Sequence, residues 1–151
     1  MSLINKILPP ANVVLDSEST SKKRVFERAG ILFENQLQIA RSKVFDSLFA
    51  REKLGSTGLG HGVAIPHGRV KGLRDAAGAF FKTQHPIAFD APDGQPVSLI
   101  FVLLVPERAT DLHLQILGEL AQMFSGKSFR EKLQAATDSA AMHQLFAEWK
   151  A

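Results

Sequence analysis

The side chains best suited to chemistry gather in one stretch, Gly60-His61-Gly62-Val63-Ala64-Ile65-Pro66-His67-Gly68-Arg69. An imidazole is a nucleophile near neutral pH because one ring nitrogen keeps a lone pair while the other holds a proton. The apolar run from Val63 to Ile65 predicts a short strand. Pro66, with no N–H to give a sheet ladder, predicts its end. His67 then stands at the mouth of the strand, with Gly68 beside it and little bulk to shield it. A histidine so placed fits a nucleophile, a structural residue or an exposed bystander, and spacing alone leaves all three open.

Other candidates lie further off in the chain. His113 follows Thr110-Asp111 and falls in the first turn of a helix, where free N–H groups and the dipole favour an anion. It shares a helical face with Leu117, Leu120 and Phe124, so it equally fits a satisfied core histidine. Arg51 borders the apolar face formed by Val44 and Leu48. That position suits a cation at a helix C-terminus or a guanidinium facing a phosphoryl dianion. Ser56 and Thr57, among Gly55, Gly58 and Gly60, offer hydroxyl and backbone donors to a pocket. Arg69 is close to His67 in sequence, with its side chain free to face solvent instead. His61 shares a side of the strand with His67 only if the strand reaches that far, so it stays outside the core site. His85, before Pro86 in an expected loop, and His143, on the last helix, read as bystanders. Three imidazoles from His61, His67 and His113 would make an open zinc site. Against it, there is no helical His-x-x-x-His pair and no carboxylate placed as a base.

These residues need a scaffold, and its elements are visible. A helix is expected from Ser21 to about Asn35, striped by Val25, Ala29 and Leu32, with Ser19, Thr20 and Ser21 as capping candidates. A second spans about Ser42 to Lys53, with Val44, Phe45, Leu48 and Phe49 inward and Gly55 near its stop. Strands follow at 63–65 and 77–83, with an extended piece at 87–89 and a turn at Pro92-Asp93-Gly94. Val97 to Val105 is apolar except for Ser98, which predicts a central strand covered on both faces. Helices at 111–124, 129–136 and 139–149 complete the chain, the last capped by Asp138. Strands in the middle with helices before and after predict an α/β fold with its sheet sandwiched between helices.

At 151 residues the chain reads as one domain, 1–151, long enough to bury about 68–70% of its unfolded surface. It has no cysteine, which excludes disulfides and thiolate chemistry. No leading apolar region and no membrane-length run is present, so a cytoplasmic protein without membrane insertion is expected. The net charge of +3, from 18 basic and 15 acidic residues, is spread along the chain. Its one compact basic run, Lys22-Lys23-Arg24, reads as a solvated helix face. Tyrosine is absent and the eleven phenylalanines fall mostly at core-like spacing, so nucleic acid is not an expected partner.

The run from Arg51-Glu52-Lys53-Leu54-Gly55-Ser56-Thr57-Gly58-Leu59-Gly60 to Gly62-Val63-Ala64-Ile65-Pro66-His67-Gly68 resembles the active-site signature of the IIA domains of the bacterial phosphotransferase system. The likeness is to the mannitol/fructose class and its nitrogen-regulatory branch. It continues through Pro86-Ile87-Ala88-Phe89-Asp90-Ala91, Gln95-Pro96-Val97 and Leu112-His113-Leu114, and so covers nearly the whole chain. The resemblance implies a mixed central β-sheet between α-helices. It implies a phosphotransferase component acting as phosphoryl carrier and regulator, without cofactor or metal. His67 would be the phosphoryl acceptor, His113 the second active-site histidine and Arg51 the active-site arginine, with Ser56, Thr57 and Arg69 around the pocket. The implied donor is a phosphohistidine carrier protein, HPr-like and of the nitrogen branch. Potassium transporters or sensor kinases are the kind of regulatory target implied. Gly55-Ser56-Thr57-Gly58 favours the nitrogen branch. A sugar-transport IIA component is the near alternative, and a His-ligated metal hydrolase the distant one.

Overall fold

The longest apolar run forms the spine of the molecule. In a computed structural model describing residues 3–108 and 110–150, Val97–Pro106 is a strand buried at every position but the last. Numbered in chain order, the strands are β1 (Val13–Ser17), β2 (Gly58–Gly60), β3 (Val63–Ala64), β4 (His67–Val70), β5 (Ala77–Ile87) and β6 (Val97–Pro106). The helices are α1 (Leu3–Ile7), α2 (Lys22–Leu37), α3 (Arg41–Glu52), α4 (Asp111–Ser125), α5 (Lys127–Ala135) and α6 (Ser139–Glu148). The sheet order is β1-β5-β6-β3-β2, with β4 also on β6. Pairing is antiparallel for β5–β6 and β2–β3, and parallel for β1–β5, β3–β6 and β4–β6. The sheet is therefore mixed.

Alternation along β6 divides the core in two. Leu99, Phe101, Leu103 and Val105 meet Ile116, Leu120, Phe124, Leu133, Met142 and Phe146 from α4, α5 and α6. Ile100, Val102 and Leu104 face Val25, Phe26, Phe33, Val44 and Leu48 from α2 and α3. This is the expected sandwich. Ser21 caps α2, accepting from the Arg24 N–H at 3.2 Å, and Asp138 caps α6, accepting from the Ala141 N–H at 2.7 Å. Each bond satisfies one of the donors that a helix start leaves without a partner.

Three expectations need correction. Pro66 does fall in a break, since β3 stops at Ala64, but its carbonyl accepts from the Leu103 N–H at 2.9 Å and keeps the chain beside β6. Pairing with β6 keeps one register across it, from Val63 opposite Leu99 and Ala64 opposite Ile100 to His67 opposite Leu103. His67 thus opens β4 instead of trailing β3. Of the extended piece expected at 87–89 only Ile87 belongs to β5, reached through an irregular stretch after Lys82, so His85 is an exposed strand residue and not part of a loop. Elements α1, β1 and β2 were not expected. They are short, and their apolar residues gain meaning only from the neighbours they pack on.

Candidate functional site

Beside β4, the last turn of α3 and the first turn of α4 converge on a cavity of ≈ 420 Å³. Arg51, His67, Arg69 and His113 line it, and Leu54, Leu114 and Leu117 supply apolar wall and rim. Three of these cationic or imidazole groups come from different elements, α3, β4 and α4. Only the fold brings them together.

His67 is half-buried, and its Nδ1 lies 2.9 Å from the carbonyl oxygen of Ile65. A carbonyl has no proton to donate, so Nδ1 carries one and donates it. In the neutral ring the lone pair is then on Nε2, on the side turned away from the backbone. Burial pushes the imidazole below the usual histidine range. The Ile65 bond opposes that shift, the Arg51 charge adds to it, and the Glu52 carboxylate opposes it. A lowered value keeps the ring neutral at pH 7.

His113 has the opposite tautomer. The Thr110 backbone N–H, at the start of α4, donates to His113 Nδ1 at 3.1 Å. That nitrogen must hold the lone pair, which leaves the proton on Nε2. His113 is therefore both of the things its sequence position suggested. It is 8% exposed and caps its own helix, and it lines the cavity with a fixed N–H donor. Arg51 lines the cavity and donates from Nη1 to the Gly55 carbonyl at 2.8 Å, which ties the helix end to the following turn.

Ser56 and Thr57 are not brought into the cavity. The Ser56 hydroxyl donates to the Phe89 carbonyl at 2.6 Å and accepts from the Gly58 N–H. The Thr57 hydroxyl donates to Glu52 Oε1 at 2.7 Å. Both hydroxyls bond within the chain and hold the turn. Arg69 lines the cavity from an exposed position, while its carbonyl accepts from the Ser47 hydroxyl at 2.7 Å. His61 stands apart in a different cleft beside Arg130 and Gln134. Among the described residues no three His, Cys, Asp or Glu side chains are grouped to hold a metal. The zinc triad is thus not assembled.

Sequence reasoning passed over Glu52, which is buried with its carboxylate taking three bonds. The available signal was an acid at the end of a helix, followed by a threonine within a glycine-rich turn. It also gave Gly68 the wrong reason. A Cβ there would lie 2.9 Å from the Ser47 carbonyl carbon and 3.0 Å from its oxygen, so glycine is what lets α3 approach β4.

Residues 6–149 match the family model described as "Phosphoenolpyruvate-dependent sugar phosphotransferase system, EIIA 2". A nitrogen regulatory protein of Pseudomonas aeruginosa is 41% identical over 146 residues, spanning 96% of this chain and 95% of that one. The crystal structure of nitrogen regulatory protein IIA-Ntr from Neisseria meningitidis superposes with a TM-score of 0.90 at 56% identity, covering 95% of this chain and 99% of the other. Mannitol IIA from Escherichia coli shares the fold, with a TM-score of 0.75 at 21% identity over 91% of this chain and 96% of that one.

Proposed function

Because the chain belongs to the EIIA 2 family of the phosphoenolpyruvate-dependent sugar phosphotransferase system, we propose that it is a phosphoryl carrier whose acceptor is Nε2 of His67. The observation that carries this reading is the pair of complementary tautomers in one cavity. His67 keeps its proton on the Ile65 side and its lone pair on Nε2, and His113 keeps a proton on Nε2.

In the transfer, His67 Nε2 attacks the phosphorus of a phosphohistidine on the donor. A new N–P bond forms as the donor's N–P bond breaks, and the electron pair returns to the donor imidazole. No proton need leave His67, since Nδ1–H stays on the Ile65 carbonyl throughout. The product is a phosphoimidazole with the same Nδ1 proton. Such transfers depend on positioning and on charges that meet the equatorial oxygens. The Arg51 guanidinium and the His113 Nε2–H are the groups suited to that task, with Arg69 at the cavity's exposed side. Exposed Leu54 and Leu114 offer a donor protein an apolar rim that excludes water from the reacting atoms.

The partner is inferred to be an HPr-like phosphohistidine carrier of the nitrogen branch, in the cytoplasm. Among the described residues no helix is long and apolar enough to cross a membrane. The names of the relatives support a nitrogen-regulatory role over a sugar-transport one. Phosphorylation adds about 1.5 to 2 negative charges to a face ringed by leucines, which suits a switch that changes its docking partners, such as potassium transporters or sensor kinases. The test is incubation with phosphoenolpyruvate and the carrier proteins of each branch, followed by mass measurement. A single acid-labile phosphate, delivered faster by the nitrogen carrier and absent from His67→Ala, is the expected result. Undiminished phosphate on His67→Ala would overturn the assignment.

A further inference from the structure

One residue beyond Arg51, the Glu52 carboxylate is buried outside the cavity that holds His67, His113 and Arg51. Glu52 Oε2 accepts from the Thr57 N–H at 3.1 Å, and Oε1 accepts from the Thr57 hydroxyl at 2.7 Å. Lys22, at the start of α2, donates to Oε2 at 2.9 Å. Lys22 also stands 3.6 Å from Asp90 and 4.7 Å over the Phe89 ring. A buried carboxylate must be paired and hydrogen-bonded to be tolerated, and this one is.

The bonds continue past Thr57. Its carbonyl accepts from the Ile65 N–H at 3.0 Å, which anchors the backbone on the near side of the Ile65 Cα. The carbonyl of Ile65 is the acceptor for His67 Nδ1. A connected series of hydrogen bonds and covalent links therefore runs from Lys22 through Glu52, Thr57 and Ile65 to the ring of His67. We infer that Glu52, with Lys22 as its counter-ion, is a positioning residue that acts through Thr57 and Ile65 to hold the His67 ring in the tautomer and orientation that present Nε2. This rests on the reading of His67 as phosphoryl acceptor. Glu52 touches no reacting atom, so its effect is on placement. The charged or titratable groups around His67 are Arg51 and Glu52 from α3, His113 from α4 and Arg69 on its own strand.

The test compares Glu52→Gln, Thr57→Val, Lys22→Met and Lys22→Arg with the wild type in the unphosphorylated protein. Nitrogen-15 NMR reads the tautomer and titration of His67, and phosphoryl uptake from a phosphorylated carrier protein reads function. Glu52→Gln should reduce the Nδ1–H tautomer, move the His67 titration further down by removing a negative charge, and slow uptake by about tenfold. Thr57→Val should shift the tautomer and slow uptake while the Glu52 charge remains. Lys22→Arg should preserve the wild-type spectrum that Lys22→Met loses. A His67 tautomer and titration unchanged in both Glu52→Gln and Thr57→Val, even with a lowered melting temperature, would overturn the inference and leave Glu52 a fold residue. If Glu52→Gln does not fold, Thr57→Val and the Lys22 pair decide alone. The NMR arm does not depend on phosphate. Shifted spectra in the variants with no phosphate on wild-type His67 would uphold the positioning role and refute the carrier reading instead.

Discussion

Gly68→Ala tests whether the spacing between α3 and β4 is what places Arg51 against His67. The added Cβ would fall 2.2 Å from the Ser47 hydroxyl oxygen, 2.9 Å from the Ser47 carbonyl carbon and 3.0 Å from its oxygen. Carbon atoms rest at about 3.5–4.0 Å, so the contact with backbone carbon is short by about 0.6 Å or more. The hydroxyl can rotate away, giving up its bond to the Arg69 carbonyl at about 0.5–1.5 kcal/mol. The backbone cannot rotate away, and the helix must retreat. Overpacking of this kind costs about 1–3 kcal/mol, or about 3–10 °C in melting temperature for a chain of this size. Arg51 travels with α3 while His67 stays on the sheet, and displacements near 1 Å cost up to about 100-fold in rate. Gly68→Ala should therefore melt lower and take up phosphate about tenfold more slowly. Combining it with Ser47→Ala should not restore either property, because the backbone contacts remain. Melting within about 1 °C of wild type with unchanged uptake would refute the reasoning.

Three further outcomes follow from the site. Arg51→Met keeps the stem's packing and removes the cation; uptake should fall about 100-fold with little change in melting, and NMR should show His67 titrating higher because the Arg51 charge no longer opposes its protonation. His113→Gln retains an N–H donor and should slow uptake modestly, whereas His113→Ala should slow it about 100-fold and lower the melting temperature through loss of the α4 cap, as kinetics beside melting curves will show. His67 is held below the ordinary histidine value of about 6.5, so the unfolded chain binds the extra proton first; stability should fall as pH drops below about 6.5 and level off beneath the folded value, and denaturant titrations should find a shallower slope in His67→Gln.

Much of this was legible because the signals were local or periodic. The apolar run of β6, the stripes of α2 and α3, and the caps Ser21 and Asp138 each depend on neighbours in sequence. The coming together of His67, His113 and Arg51 came from family resemblance, since nothing local says that α3 and α4 meet at β4. Pro66 does mark the end of β3, but its carbonyl still bonds to β6, and that non-local contact lets the chain resume as β4 at His67. Ser56 and Thr57 lie outside the cavity for a related reason. Free hydroxyls in a glycine-rich turn suggest a ligand, but Phe89 and Glu52 arrive from elsewhere in the chain and take them. Strand β1 was invisible because its pairing with β5 supplies the order that its own five residues do not.

The Ser47 bond to Arg69 bears on the protein's behaviour at high concentration. Among the described residues, strand β4 pairs with β6 and with no strand on its other side, and an open strand side is a template on which another chain can add itself. Here α3 lies against that open side, Ser47 occupies the Arg69 carbonyl, and Gly68 lets the helix come close enough to cover it. The strand that bears His67 is thereby shielded from recruiting further strands. A surface closed in this way can meet other molecules through its side chains without offering its backbone to aggregation.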